Sequence, residues 1–119
     1  NDEGDITQEV INDTGYVFMV VAYDLTKTDN KNLGKLNDIL IKATDEKKRV
    51  IILTSSVNEV INDFKKKYNF YLPFYKTDPI TLKTIVRANP GLVLIKNGKV
   101  LNKWHHNDLP IYKEIIANN

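Results

Sequence analysis

A chain of 119 residues has the length of one ordinary domain with its own hydrophobic core. With 42% hydrophobic and 27% charged residues and only 5 Gly and 4 Pro, it is neither disordered, collagenous nor built from short repeats. Seventeen Lys and Arg against fifteen Asp and Glu leave a net charge of +2, too little to argue for a nucleic-acid partner or a charged membrane surface. The absence of any cysteine removes disulfides, thiolate nucleophiles and Cys-ligated zinc together, and leaves the redox state of the compartment unread. The longest apolar run, residues 16–23, is far shorter than the roughly 20 residues of a spanning helix, so no membrane insertion by this stretch is expected. The only methionine is Met19 and residue 1 is Asn, which reads as a piece of a longer protein whose location the piece does not reveal.

Residues 1–11 read as a lead-in segment. After the turn Asn12-Asp13-Thr14-Gly15, residues 16–23 are continuously apolar and rich in β-branched and aromatic side chains, the pattern of a strand buried on both faces. Beyond a polar stretch, Leu33, Leu36, Leu40 and Ala43 recur every three or four residues and predict a helix ending near Lys48. Residues 49–53 predict a second buried strand, followed by Thr54, Ser55 and Ser56, any of which could cap the next helix. That helix carries Val57, Val60, Ile61, Phe64 and Tyr68 on one face. A short strand over 72–76 precedes Asp78-Pro79, a cap followed by proline at the first helical position, with Leu82, Ile85 and Val86 as the apolar face. Asn89-Pro90-Gly91 breaks this helix. Residues 92–96 and 99–104 flank Asn97-Gly98, the pair that best takes the positive φ angles of a two-residue type I′ turn, and so predict a β-hairpin. Leu109, Tyr112, Ile115 and Ile116 predict a closing helix.

Alternating strands and helices followed by a hairpin predict an α/β fold: a mixed sheet, parallel at first and antiparallel at its C-terminal edge. This order, with the proline-led hairpin from Asn89 to Val100, resembles the thioredoxin superfamily, and residues 55–88 look like the helix-strand-helix insertion of its TlpA/ResA branch. The resemblance implies a single three-layer sandwich over 1–119. More narrowly, residues 77–110, with Arg-Ala-Asn-Pro-Gly and Lys-Trp-His-His-Asn-Asp-Leu-Pro, are similar to the soluble tail of some bacterial DoxX-family membrane proteins. That similarity implies a membrane-tethered or envelope-associated parent. The departure from the superfamily is at the corner after the first strand, where active relatives carry Cys-x-x-Cys because a helix N-terminus stabilises a thiolate there. Here the corner reads Tyr23-Asp24-Leu25-Thr26-Lys27-Thr28-Asp29, and a threonine hydroxyl can neither act as a thiolate nor form a mixed disulfide.

The resemblance places Pro90 as the superfamily's cis-proline facing this corner. It implies a peptide-binding groove made by Tyr23, Asp24, Thr26, Thr28, Asp29, Asn89 and Pro90, with no cofactor. His105, His106 and Asp108 invite a metal reading, but neighbouring residues of an extended chain point to opposite sides and argue against shared ligation. No nucleophile, base and orienting acid stand at a catalytic spacing, Lys65-Lys66-Lys67 reads as a solvated helix face, and Trp104, Tyr71, Phe74 and Tyr75 read as packing. The expected role is a redox-inactive module that binds a protein or peptide segment, its own membrane-bound parent included. The alternative is the substrate-positioning part of a thiol-disulfide oxidoreductase whose cysteines lie outside these residues.

Overall fold

The computed structural model describes residues 12, 14–28, 31–70, 72–85 and 88–119. In chain order they form β1 (Tyr16–Val21), α1 (Leu33–Asp45), β2 (Arg49–Thr54), α2 (Asn58–Tyr68), β3 (Phe74–Lys76), α3 (Pro79–Ile85), β4 (Gly91–Lys96), β5 (Lys99–His105), a 3-10 turn (His106–Asp108) and α4 (Tyr112–Asn118). The sheet order is β3-β2-β1-β4-β5. Helical crossovers return the chain in the same direction, so β1, β2 and β3 run parallel, whereas β4 is antiparallel to both β1 and β5.

Successive residues of a strand face opposite sides, and both sides of the central strands are apolar. On one side Phe18, Val20, Ile52, Leu92 and Leu94 pack under α1, α2 and α4, with the Phe18 and Tyr112 rings 5.8 Å apart. On the other, Val17, Met19, Val21, Ile51, Val93 and Ile95 pack with Leu82 and the half-buried Ile85 of α3. The result is three layers, helices on both faces of a mixed sheet. Tyr112 Oη donates to Glu46 Oε1 at 2.6 Å, and Lys48 Nζ lies 2.7 Å from the same oxygen, so α4 is fastened to the chain just beyond α1. Those two donors, Lys48 foremost, hold the Glu46 carboxyl below its ordinary range.

The hairpin turn takes the form its sequence predicts, with φ of 54° at Asn97 and 74° at Gly98. Gly98→Ala should therefore cost about 1 kcal/mol, because alanine gains a Cβ where φ is positive, and a urea melt with unchanged slope checks it. The first helix ends at Asp45, earlier than the expected Lys48. Lys47 turns left-handed, with φ of 62°, its N–H donates to Thr44 O and the Lys48 N–H to Ala43 O, both at 2.9 Å. This doubly bonded ending suits glycine best. Lys47→Gly should stabilise the protein by roughly 0.5–1 kcal/mol, read as a higher thermal midpoint.

Other boundaries also move. The apolar run continues to Tyr23, but β1 ends at Val21; beyond it the Ala22 N–H still donates to the Leu53 carbonyl at 2.9 Å, and the Tyr23 carbonyl accepts from the Ser55 N–H and hydroxyl. The closing helix starts at Tyr112, since Leu109, preceding Pro110, is held extended at φ −65° and ψ 121°. Tyr71, Val86 and the 1–11 lead-in lie outside the described residues.

Candidate functional site

β1 leaves the sheet beside the start of β4, and the loop after β1 meets Asn89 and Pro90 there. The Asn89–Pro90 peptide is cis and Pro90 is buried. Asn89 Nδ2 donates to the Asp24 carbonyl at 2.8 Å, and the Thr28 hydroxyl lies 3.1 Å from Asn89 Oδ1 and 2.9 Å from the same Asp24 carbonyl. The Lys27 N–H reaches that carbonyl at 3.1 Å. A carbonyl has two lone pairs. Lys27 and Asn89 satisfy them when the Thr28 proton turns to Asn89 Oδ1, closing a ring of hydrogen bonds that staples the corner loop to the segment before β4.

Below the loop, the hydroxyls of residues 54–56 do work that the sequence assigns to helix capping. Ser55 Oγ donates to the Tyr23 carbonyl, Ser56 Oγ accepts from the Leu25 N–H at 2.9 Å, and the fully buried Thr54 accepts from the Ser56 N–H at 3.1 Å. None caps α2, whose N-cap is Val57 with no side-chain hydrogen bond. These residues hold the corner loop in place, a role the sequence does not reveal because Ser-Ser before a helix is an ordinary capping signal.

Asp24 Oδ1 accepts from the Thr26 hydroxyl at 2.6 Å and the Thr26 N–H at 3.0 Å. The Thr26 hydroxyl, its N–H and the nearby Lys27 charge hold the Asp24 carboxyl below its ordinary value, against a smaller opposing effect of burial. With the Thr26 hydroxyl and N–H both on Asp24 Oδ1, the pair closes a local turn. The sign of the linkage follows. A lowered folded pKa adds stability that is fully present above the unfolded value of 3.8 and is lost as pH falls through the folded value. Asp24→Asn should thus be less stable than the parent at pH 7, with the gap closing below about pH 4, as read by thermal midpoints across pH.

Of the seven residues predicted for the groove, Thr28 and Asn89 are bonded to each other and to the Asp24 backbone, Tyr23 is anchored through its carbonyl, and Asp29 lies outside the described residues. The space beneath the corner is closed: the cavity lined by Leu25, Thr28, Leu33 and Pro90 holds only about 10 Å³, room for one water at most. The open depression, about 420 Å³, lies between the loop and α2, lined by Leu25, Thr26, Thr28, Val60, Asp63 and Lys67 among others.

His106 is buried, its ring 4.3 Å from that of His105, and its Nδ1 lies 3.0 Å from Asn32 Nδ2. His105 Nδ1 accepts from the Asn107 N–H at 3.0 Å. The two imidazoles thus make packing and capping contacts. Among the described residues, no group of three or more His, Asp or Glu gathers at metal-binding distance.

By sequence, no family model matches the chain, and no curated protein does. Solved structures do. A Neisseria meningitidis protein provisionally assigned as a thioredoxin superposes with a TM-score of 0.65 at 14% identity, covering 89% of this chain and 73% of its own. StoA from Bacillus subtilis gives 0.62 at 13%, covering 87% and 81%. A secreted Mycobacterium tuberculosis disulfide oxidoreductase gives 0.61 at 7%, covering 89% and 80%. Identities this low carry the fold alone, and with the strand order and layers above they establish it: the chain has the thioredoxin-like α/β fold, and its sequence contains no cysteine.

Proposed function

We propose that this chain is a redox-inactive thioredoxin-like domain that works by binding, as a module of a larger, membrane-associated bacterial protein. One observation carries the reading: the corner that bears the reactive thiols in active relatives holds no sulfur, yet its loop is still stapled to Asn89, the residue before Pro90, by the hydrogen bonds of Asp24 and Thr28. A corner kept in shape without its chemistry suits recognition of an extended segment, which needs backbone groups and a rim but no thiol. The seven residues named above form the proposed contact region, and the depression between Thr26, Thr28 and α2 extends it. Similarity of residues 77–110 to DoxX-associated tails supports a membrane-bound parent as bearer or partner. No helix among the described residues is long and apolar enough to cross a membrane. In this reading residues 1–119 form one domain and residues 55–88 its insertion.

Photo-crosslinking tests it. A crosslinker at position 26 in the full-length parent, in native membranes, should give a discrete adduct that Asn89→Ala weakens, while one at Lys113 on α4 should not. Equal adducts from both positions, or an adduct indifferent to Asn89, would count against the corner. The fold also supports a second reading, in which the domain positions substrate for cysteines elsewhere in the parent. Dithiothreitol-driven insulin reduction separates the two: acceleration by the parent but not by this chain supports the second, and acceleration by neither supports the first.

A further inference from the structure

We propose that the open edge of β3 docks an extended acidic segment of a partner protein, at a site independent of the corner. β3 is the terminal strand of the sheet. Its inner side is occupied: the Pro73 carbonyl accepts from the Ile52 N–H at 3.1 Å and the Thr77 N–H donates to the Thr54 carbonyl at 2.8 Å. Backbone groups alternate along a strand, so the N–H and C=O groups of Phe74 and Lys76 point the other way, out of the sheet, as a strand edge that no strand among the described residues pairs. Beside this edge runs a depression of about 340 Å³, lined by Asn58, Asn62 and Lys65 on α2 and by Phe74, Tyr75 and Lys76 on β3.

The chemistry of that lining selects the occupant. Lys65 and Lys76 bring two positive charges and no lining residue is acidic. Neither lysine enters an ion pair among the described residues, unlike Lys42 with Asp38 or Lys48 with Glu46. Lys65 Nζ instead rests 5.3 Å from the centre of the Phe74 ring, a contact that leaves its outer side free for an anion. Asn58 and Asn62 are one helical turn apart and offer carboxamides to a backbone laid beside them. An added strand would take main-chain hydrogen bonds from the edge and charge selectivity from the two lysines. The three-residue edge is about 10 Å long and so fixes roughly three residues of ligand, which limits the affinity. The opposite edge is less suited: β5 carries an irregularity opposite Leu94 and Ile95, a common way of blunting strand pairing.

The test uses a fluorescein-labelled eight-residue peptide alternating glutamate and valine, titrated by anisotropy at low salt. Binding is expected to weaken with added salt and to fall about tenfold or more in the Lys65→Glu, Lys76→Glu double variant, while Lys113→Glu on α4 leaves it unchanged. Amide shifts in NMR should concentrate at residues 58–65 and 74–76, and N-methylation of alternate peptide residues should abolish binding by removing strand donors. The proposal is overturned if the peptide does not bind at millimolar concentration, if an alternating lysine–valine peptide binds as well, or if shifts gather at residues 23–28. Self-association of the chain that Lys76→Glu abolishes would likewise overturn it, since the occupant would then be a second copy.

Discussion

Replacing Leu82 by alanine should cost about 2–5 kcal/mol, a large share of the 5–15 kcal/mol that holds a typical domain together. Leu82 is fully buried, the one α3 residue among those of the second-face cluster with no exposed surface, and it sits against Val17, Met19, Ile51 and Val93. Truncation leaves a cavity that the flat face of a sheet cannot collapse to fill. Urea denaturation should show the midpoint falling by about 1 M or more with little change in slope. Ile80, two residues away and 73% exposed, supplies the control: Ile80→Ala should stay within about 0.5 kcal/mol of the parent. If the two variants proved equally mild, α3 would not be what closes the second face.

Asn89→Ala should destabilise by about 1–2 kcal/mol and loosen the corner loop more than the rest of the molecule. The side chain makes two hydrogen bonds, each worth about 1 kcal/mol net. Its removal orphans nothing costly, because the Asp24 carbonyl keeps the Lys27 N–H and regains the Thr28 hydroxyl. Asn89→Asp should cost more than Asn89→Ala, since it sets a carboxylate against the Asp24 carbonyl in place of a donor. Hydrogen exchange checks the local part: amides of residues 25–28 should exchange several-fold faster while those of β1 and β4 lag behind. Thr28→Val in a double-mutant cycle with Asn89→Ala should show coupling of about 0.5–1 kcal/mol, and additivity would mean that the two side chains do not share a bond.

The elements legible in the sequence are those decided by neighbours along the chain. Asn97-Gly98 specifies its turn because only a few residue types tolerate the positive φ found there. Leu33, Leu36, Leu40 and Ala43 reveal a helix face because burial repeats with the helical period, and all four are buried. The capping assignment at Thr54, Ser55 and Ser56 shows where such reasoning stops. A hydroxyl before a helix normally turns back to the helix N-terminus, yet here these groups serve Tyr23, Leu25 and one another across a separation of up to 32 residues. The same applies to the depression beside Thr26 and Thr28, one wall of which is α2, a helix more than thirty residues further on.

By itself, then, the sequence determined the mixed α/β sheet, its hairpin and the impossibility of thiol chemistry, because backbone preference, burial period and the presence of an element are all local properties. Tertiary structure alone decided that Asn89 meets Asp24 across 65 positions, that the space under the corner is filled while the open ground lies against α2, and that β3 is the end strand of the sheet among the described residues. A hydrogen bond needs its two partners within about 3 Å, and no pattern along the chain states which distant groups folding will bring that close.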